Sequence, residues 1–484
     1  MTAPNPVIPA PPADLPGTLG ALRAAGHRYR TVKQELRDNL LARMRAGADR
    51  FPGIVGYDDT VLPEVERALL AGHDMVLLGE RGQGKTRLIR SLVGLLDEWT
   101  PVIAGSALNE HPLHPITPAS WALVAEAGDD LPVGWLHRSM RYGEKLATPD
   151  TSVGDLIGDV DPVRLAQGRS LGDPETIHFG LVPRTNRGIF AVNELPDLAE
   201  RIQVALLNVL EERDIQVRGY QLRLPLDLFL VASANPEDYT NRGRIITPLK
   251  DRFGAEVRTH YPVDLELELA LIRQEADLVA EVPEHVLEVL ARFARAVRES
   301  PSVDPRSGVS ARFAIAAAET VAAAALRRAG LLAAADTPDQ VRPEAPVARV
   351  GDAVSVTSTL RGKVEFESGE EGREVEILGH LLRTATAETF RARLGGLDLS
   401  GFTGLVAEGT VIETGELVSS AELLRQVGTV PGLAKALDRL GMGDAPTPEE
   451  AAAGVEFVLE GLHLTRRLGK DVTDSGRTRY GGRG

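Results

Sequence analysis

The chain has 484 residues, room for roughly two or three domains, and a formal net charge of −15, which argues against a sequence-independent grip on nucleic acid or an anionic membrane. It contains no cysteine, so disulfides, thiolate metal sites and cysteine nucleophiles are excluded together. Neither a signal peptide nor a spanning segment is visible, and a soluble cytoplasmic protein without membrane insertion is expected.

Residues 1–50 read as a disordered Pro/Ala-rich tail and then, from about Thr18, a polar helix with periodic Leu36, Leu40, Leu41 and Met44. Residues 51–260 alternate apolar strand-like runs with helical patterns, the signature of an α/β layer fold with a parallel sheet. Within this core, Met75–Leu78 is long enough for a buried strand, and Gly79-Glu80-Arg81-Gly82-Gln83-Gly84-Lys85-Thr86 follows it directly. That run is a complete phosphate loop. Its glycines let backbone N–H groups wrap a polyphosphate, Lys85 reaches the β/γ oxygens, and Thr86 offers its hydroxyl to Mg²⁺. Leu88, Ile89, Leu92, Val93, Leu95 and Leu96 then recur near helical period, so the loop opens a helix.

Further along, Gly188–Val192 reads as a buried strand ending in Asn193-Glu194. An ATPase needs a carboxylate beside Mg²⁺ and a second that polarises water. Glu194 fits the second role, whereas Asn193 offers a carbonyl but no charge to the first. Residues 215–224 read as a hairpin with Gly219 opening a two-residue turn, either a solvated surface feature or an insertion that touches a substrate or partner. Leu228–Ala232 is another buried strand, and Asn235 at its end can orient the attacking water. Arg252 and Arg312 supply planar guanidinium groups suited to a γ-phosphate. His111 and His114, set among Pro112 and Pro115, read as a loop rather than a metal site.

Residues 261–333 turn helical, in stretches near 265–279, 283–297 and 310–329, and 334–346 is a Pro-rich linker. A mostly helical region follows over 347–470. Its last helix is signalled by Thr447 as N-cap, Pro448 in the first turn and Glu450 three residues on. Residues 471–484, rich in Gly and Arg, are expected to be a mobile tail.

The order of these pieces resembles the AAA+ ATPases, and specifically the magnesium-chelatase I-subunit and MoxR group. The specific matches are Gly180-Leu-Val-Pro-Arg184-Thr-Asn-Arg187-Gly188-Ile-Phe190, the long insert from Ala104 to Gly158, and Phe51–Gly56. The resemblance covers residues 51 to about 330. It implies an αβα P-loop core followed by a helical lid, with ATP and Mg²⁺ as cofactors. Val55 and Gly56 would lie on the adenine side, with Tyr57 standing where Gln is more usual. Lys85 and Thr86 would hold phosphate and Mg²⁺, Glu194 would be the catalytic base, and Asn235 the polar sensor. Arg252 would act on the neighbouring subunit's ATP and Arg312 would be the lid's sensor arginine. A finger acting in trans implies a homo-oligomeric ring, six subunits being expected, and the group commonly works with a separate von Willebrand A domain protein. Gly401-Phe402-Thr403-Gly404 resembles a loop of some AAA+ transcription activators but lies far downstream of the ATP motifs and reads as an ordinary turn.

Three functions follow. The first is an ATP-driven ring that remodels or activates a partner. The second is the ATPase subunit of a true magnesium chelatase acting on a porphyrin. The third is a nucleotide-gated scaffold with negligible turnover because of Asn193.

Overall fold

A computed structural model describes the chain except for residues 1–7, 161–176, 212–213, 218–219, 237–244, 305–308, 336–343, 444, 474–476 and 482–484. Most of the expected linker therefore lies outside the described residues. The chain divides into two units, Met1–His260 and Tyr261–Gly484.

The first unit is built on five parallel strands: β1 (Met75–Leu78), β2 (Tyr142–Leu146), β3 (Gly188–Asn193), β4 (Leu228–Ala234) and β5 (Ala255–Arg258). Their order across the sheet is β5-β1-β4-β3-β2. The three inner strands are apolar along almost their whole length because both faces are covered. On one face, Met75, Leu77, Ile189, Ala191, Phe229 and Val231 pack with helices α1 (Val32–Ala46) and α2 (Val61–Ala71). On the other, Val76, Leu78, Phe190, Val192, Leu230 and Ala232 meet Ile202 and Leu206 of α4 (Glu200–Glu211). Between them in the chain, α3 (Lys85–Ser91) follows the phosphate loop. Polar residues are pushed to the strand ends, which is where Gly79, Asn193, Glu194 and Asn235 sit.

The region before residue 51, expected to hold one helix, contains a short helix, Leu19–Ala24, besides α1. The hairpin pairs Asp214–Val217 with Tyr220–Arg223, matching Val217 to Tyr220. Tyr220, expected in the turn, therefore belongs to the second strand, and residues 218–219 lie outside the described residues.

One buried ion pair ties α1 to the sheet. Glu35 accepts from both terminal nitrogens of Arg141 at 2.7 Å, and Arg141 is fully buried. The Arg141 Nε donates to the Arg187 carbonyl at 2.8 Å.

In the second unit, helices Leu265–Glu275, Glu284–Arg298 and Ala311–Ala335 share one apolar core with Glu374–Leu394 and Pro448–Leu464. Thr447 and Glu450 form the expected capping box. Two local expectations are corrected. Gly401–Gly404 is not a turn but part of helix Ser400–Ala407, with Phe402 buried in the core. Within 471–484, expected to be mobile, residues 471–472 and 478–481 instead contribute to a three-stranded antiparallel sheet of Ile412–Thr414, Thr478–Gly481 and Gly469–Val472, and 474–476 and 482–484 lie outside the described residues. Tyr480 explains the difference. Its ring is buried, and its hydroxyl donates to Glu460 at 2.5 Å.

Two stability predictions follow from buried charge. Glu35→Ala leaves Arg141 buried without its carboxylate and is expected to cost about 3–5 kcal/mol, measured by urea denaturation. His285 is fully buried, and burial, reinforced by Arg393, lowers its pKa to about 3. Below the unfolded pKa of about 6.5 the unfolded chain takes up a proton that the folded chain refuses, so stability falls with acid. From pH 7 to pH 5, wild type should lose about 2 kcal/mol relative to His285→Phe, read from paired denaturation curves.

Candidate nucleotide site

Gly82 and Gly84 adopt left-handed φ values of 75° and 73°, which let the phosphate loop curl before α3 starts at Lys85. Gly79 is required for space: a Cβ there would lie 2.0 Å from Thr259 Oγ1 and 2.2 Å from Gln83 Oε1. Lys85 is buried, and its ammonium donates to the Gly79 carbonyl, to the Glu80 carbonyl at 2.8 Å and to Asn235 Oδ1 at 2.8 Å. Asn235 in turn donates from Nδ2 to Glu194 Oε2 at 2.7 Å. Lys85, Asn235 and Glu194 thus form one hydrogen-bonded chain across the C-terminal ends of β1, β4 and β3. Glu194 sits at φ 56°, ψ 47°, a left-handed conformation uncommon for a residue with a Cβ, where its N–H donates to Ser233 Oγ at 3.3 Å.

The segment that opens the core is locked to this loop. Val55 and Gly56 are half-buried, and the neighbouring Tyr57 hydroxyl is shared between the Gln83 carbonyl and the His260 carbonyl, the latter at 3.0 Å. Burial pushes the Tyr57 hydroxyl up to about 12, so it stays a donor. Arg87 Nε reaches the Gly53 carbonyl at 3.0 Å. The Gln83 amide oxygen accepts from the Glu80 N–H at 3.0 Å and from Thr259 at 2.8 Å. Thr259 and His260 escaped sequence reasoning. Their only signal is that they directly follow Ala255–Arg258, a strand that pairs with β1.

Asn193 lies at the end of β3, buried. Its Nδ2 donates to Glu144 Oε1 at 2.6 Å and its Oδ1 accepts from Ser233 at 3.2 Å. Among the described residues no cluster of three or more His, Asp or Glu could hold a metal by itself. The half-buried Thr86 hydroxyl makes no hydrogen bond to the described residues. The Thr86 and Asn193 oxygens, with the Glu194 carboxylate, are hard donors that suit Mg²⁺ shared with phosphate and water. His111 is buried, with Nδ1 accepting from Leu113 N–H at 3.0 Å and Nε2 lying 3.2 Å from His27 Nε2.

No family model matches the chain. Individual relatives do. The chain is 28% identical over 244 residues to magnesium-chelatase subunit ChlI of Nicotiana tabacum, covering 49% of this chain and 54% of that one. It is 30% identical over 235 residues to the magnesium-chelatase 38 kDa subunit of Rhodobacter capsulatus, covering 46% and 59%. The chain thus spans between half and three fifths of the length of these relatives. A solved assembly of magnesium-chelatase subunits BchI and BchD overlaps 68% of this chain and 98% of the matched chain, at 23% identity and a TM-score of 0.35. Over about half of its length the chain is thus similar to magnesium-chelatase I subunits.

Within this chain the run that carried the resemblance, Gly180–Phe190, is structural. Arg187 is buried and donates to the Pro101 carbonyl at 2.8 Å and to Thr100 at 2.6 Å. Burial, with Arg141 beside it, lowers its pKa to about 10. A Cβ on Gly188 would meet the Arg141 carbonyl oxygen at 2.0 Å. Arg81 is exposed on the loop, and Arg252 is exposed at the end of helix Thr247–Arg252 in the first unit. Arg312 is exposed near the start of Ala311–Ala335 in the second, where it makes no hydrogen bond or ion pair with described residues.

Gly79→Ala should cost about 1–3 kcal/mol by overpacking against Thr259 and Gln83. Adding Thr259→Ala should return part of that loss, both measured as shifts of the urea midpoint.

Proposed function

We propose that this chain binds Mg-ATP and hydrolyses it, working as a ring of its own copies that remodels or activates a partner protein. The observation that carries this reading is the continuous bond path from Lys85 through Asn235 to Glu194. It couples the group that would meet the phosphates to the carboxylate that would take the proton. Lys85 would exchange its carbonyl partners for phosphate oxygens. Asn235 would hold the attacking water against Glu194, and the Glu194 carboxylate would accept that water's proton as the new O–P bond forms and the bond from the γ-phosphorus to the β,γ-bridging oxygen breaks, ADP leaving with that oxygen. The left-handed backbone of Glu194 turns its side chain out of the strand direction, toward Asn235. Val55 and Gly56 would border the adenine. Mg²⁺, held by Thr86 with Asn193 alongside, would supply positive charge against the phosphate oxygens.

Arg252 is proposed to act on a neighbouring subunit's ATP and Arg312 to report nucleotide from the lid. A ring of six, a von Willebrand A domain partner and a cytoplasmic location rest on the family resemblance. No helix among the described residues is long and apolar enough to cross a membrane. The names of the relatives favour a second reading, in which the ring drives metal insertion into a porphyrin.

Purified protein should turn over ATP in the presence of Mg²⁺. Lys85→Ala should weaken ATP binding by about a hundredfold, as expected from losing charge-assisted hydrogen bonds. Glu194→Gln should keep binding and lower turnover by about 10²–10⁴. A wild type no faster than Glu194→Gln would sink the motor reading and leave a nucleotide-gated scaffold.

A further inference from the structure

The hydrolytic reading leaves one carboxylate unassigned. Glu144 lies on β2, the edge strand, in register with Ala191 of β3, while Leu146 is in register with Asn193. Its side chain reaches along the edge to the end of β3. Glu144 Oε1 accepts from Asn193 Nδ2 at 2.6 Å and from Arg90 at 3.0 Å. Its Oε2 accepts from Arg90 Nε at 2.9 Å and from the Tyr142 hydroxyl at 3.0 Å. All four bonds are donated to Glu144, so its carboxylate serves here as an acceptor.

An acceptor at this position decides which way the Asn193 amide faces. The NH₂ group is drawn to Glu144, so the carbonyl oxygen turns to Ser233 on β4, the strand whose end carries Asn235. The same bonds reach the nucleotide machinery twice. Arg90 belongs to α3, the helix of the phosphate loop, and Ser233 receives the Glu194 N–H. An Asp at position 193 would set a second carboxylate against the first, at a spacing where like charges strongly oppose joint ionisation. Asn193 is thus not simply a charge lost from the site. It is the residue that Glu144 permits.

We propose that Glu144 and Asn193 are a matched pair, in which the carboxylate beside the Mg²⁺ ligands has moved one strand outward. Glu144 acts as a positioning residue that fixes the Asn193 carbonyl oxygen on the side of Ser233, with its second lone pair left for nucleotide-bound Mg²⁺ or its water. The Mg²⁺ part of this inference rests on the Mg-ATP reading above, whereas the pairing itself does not.

The test is a polarity swap with four proteins: wild type, Glu144→Gln, Asn193→Asp and the double variant. Two quantities are read. One is the urea midpoint without nucleotide. The other is the affinity for a fluorescent ATP analogue as a function of Mg²⁺ concentration, with an EDTA control. Asn193→Asp alone should lower the midpoint and weaken Mg²⁺-dependent binding by about tenfold or more, with little change in EDTA. In the double variant the new amide donates to the new carboxylate, so both quantities should recover most of the loss. If Asn193→Asp binds Mg-ATP as tightly as wild type, or the double variant is no better than Asn193→Asp, the matched pair is overturned. If no protein binds the analogue, wild type included, the nucleotide reading and the metal-positioning role fail together. The denaturation cycle still decides whether the two residues are paired.

Discussion

The site depends on one constraint: β1, β3 and β4 are covered on both faces, so their polar residues have nowhere to go but the strand ends. Parallel strands put the ends that follow them in sequence on the same edge of the sheet. Gly79, Asn193-Glu194 and Asn235 therefore meet although Lys85 and Asn235 are separated by 150 positions. The apolar interior supplies the driving force, and the polar chemistry collects along its rim. Groups on that rim have few water contacts, so each must find a protein partner. The chain Lys85–Asn235–Glu194 is one consequence, and the Glu144–Asn193 bond is another.

The same reasoning separates architecture from chemistry in the motifs. Gly180–Phe190 carried the resemblance read from the sequence, yet its Arg187 is spent on the Pro101 carbonyl and Thr100. Its job is to thread the chain past a buried arginine pair and into β3. The phosphate loop is the reverse case. Its Lys85 and Thr86 are the residues proposed to meet phosphate and Mg²⁺, while Tyr57, Thr259 and His260 hold the loop in shape from elsewhere in the chain. Tyr57 joins the segment expected to border the adenine to the loop that would hold the phosphates.

The second unit shows how a local reading can fail in a long chain. The tail after residue 470 is rich in Gly and Arg, a composition associated with mobility. Tyr480 and Val472 are its two apolar side chains within the strands, and Tyr480 is buried. Arg477 and Arg479 pair with Glu413 on the adjoining strand at 2.8 and 2.7 Å. Composition counts side chains without knowing what lies opposite them. Phe402 is similar: between two glycines it reads as a turn, but a helix buries it in the core.

The sequence alone determined whatever depends on short spacing. The phosphate loop, the strand before it, the helix after it and the capping box at Thr447 are written within a few residues, because local backbone geometry selects those types there. Apolar runs likewise announced the buried strands. Only the tertiary structure decided which strand lies beside which, and hence which side chains face one another at the rim. Asn193 read by itself is a missing charge. Beside Glu144, Ser233 and Arg90 it is an amide whose direction is set by a neighbouring anion. That meaning follows from strand order and register, which no stretch of sequence around Asn193 contains.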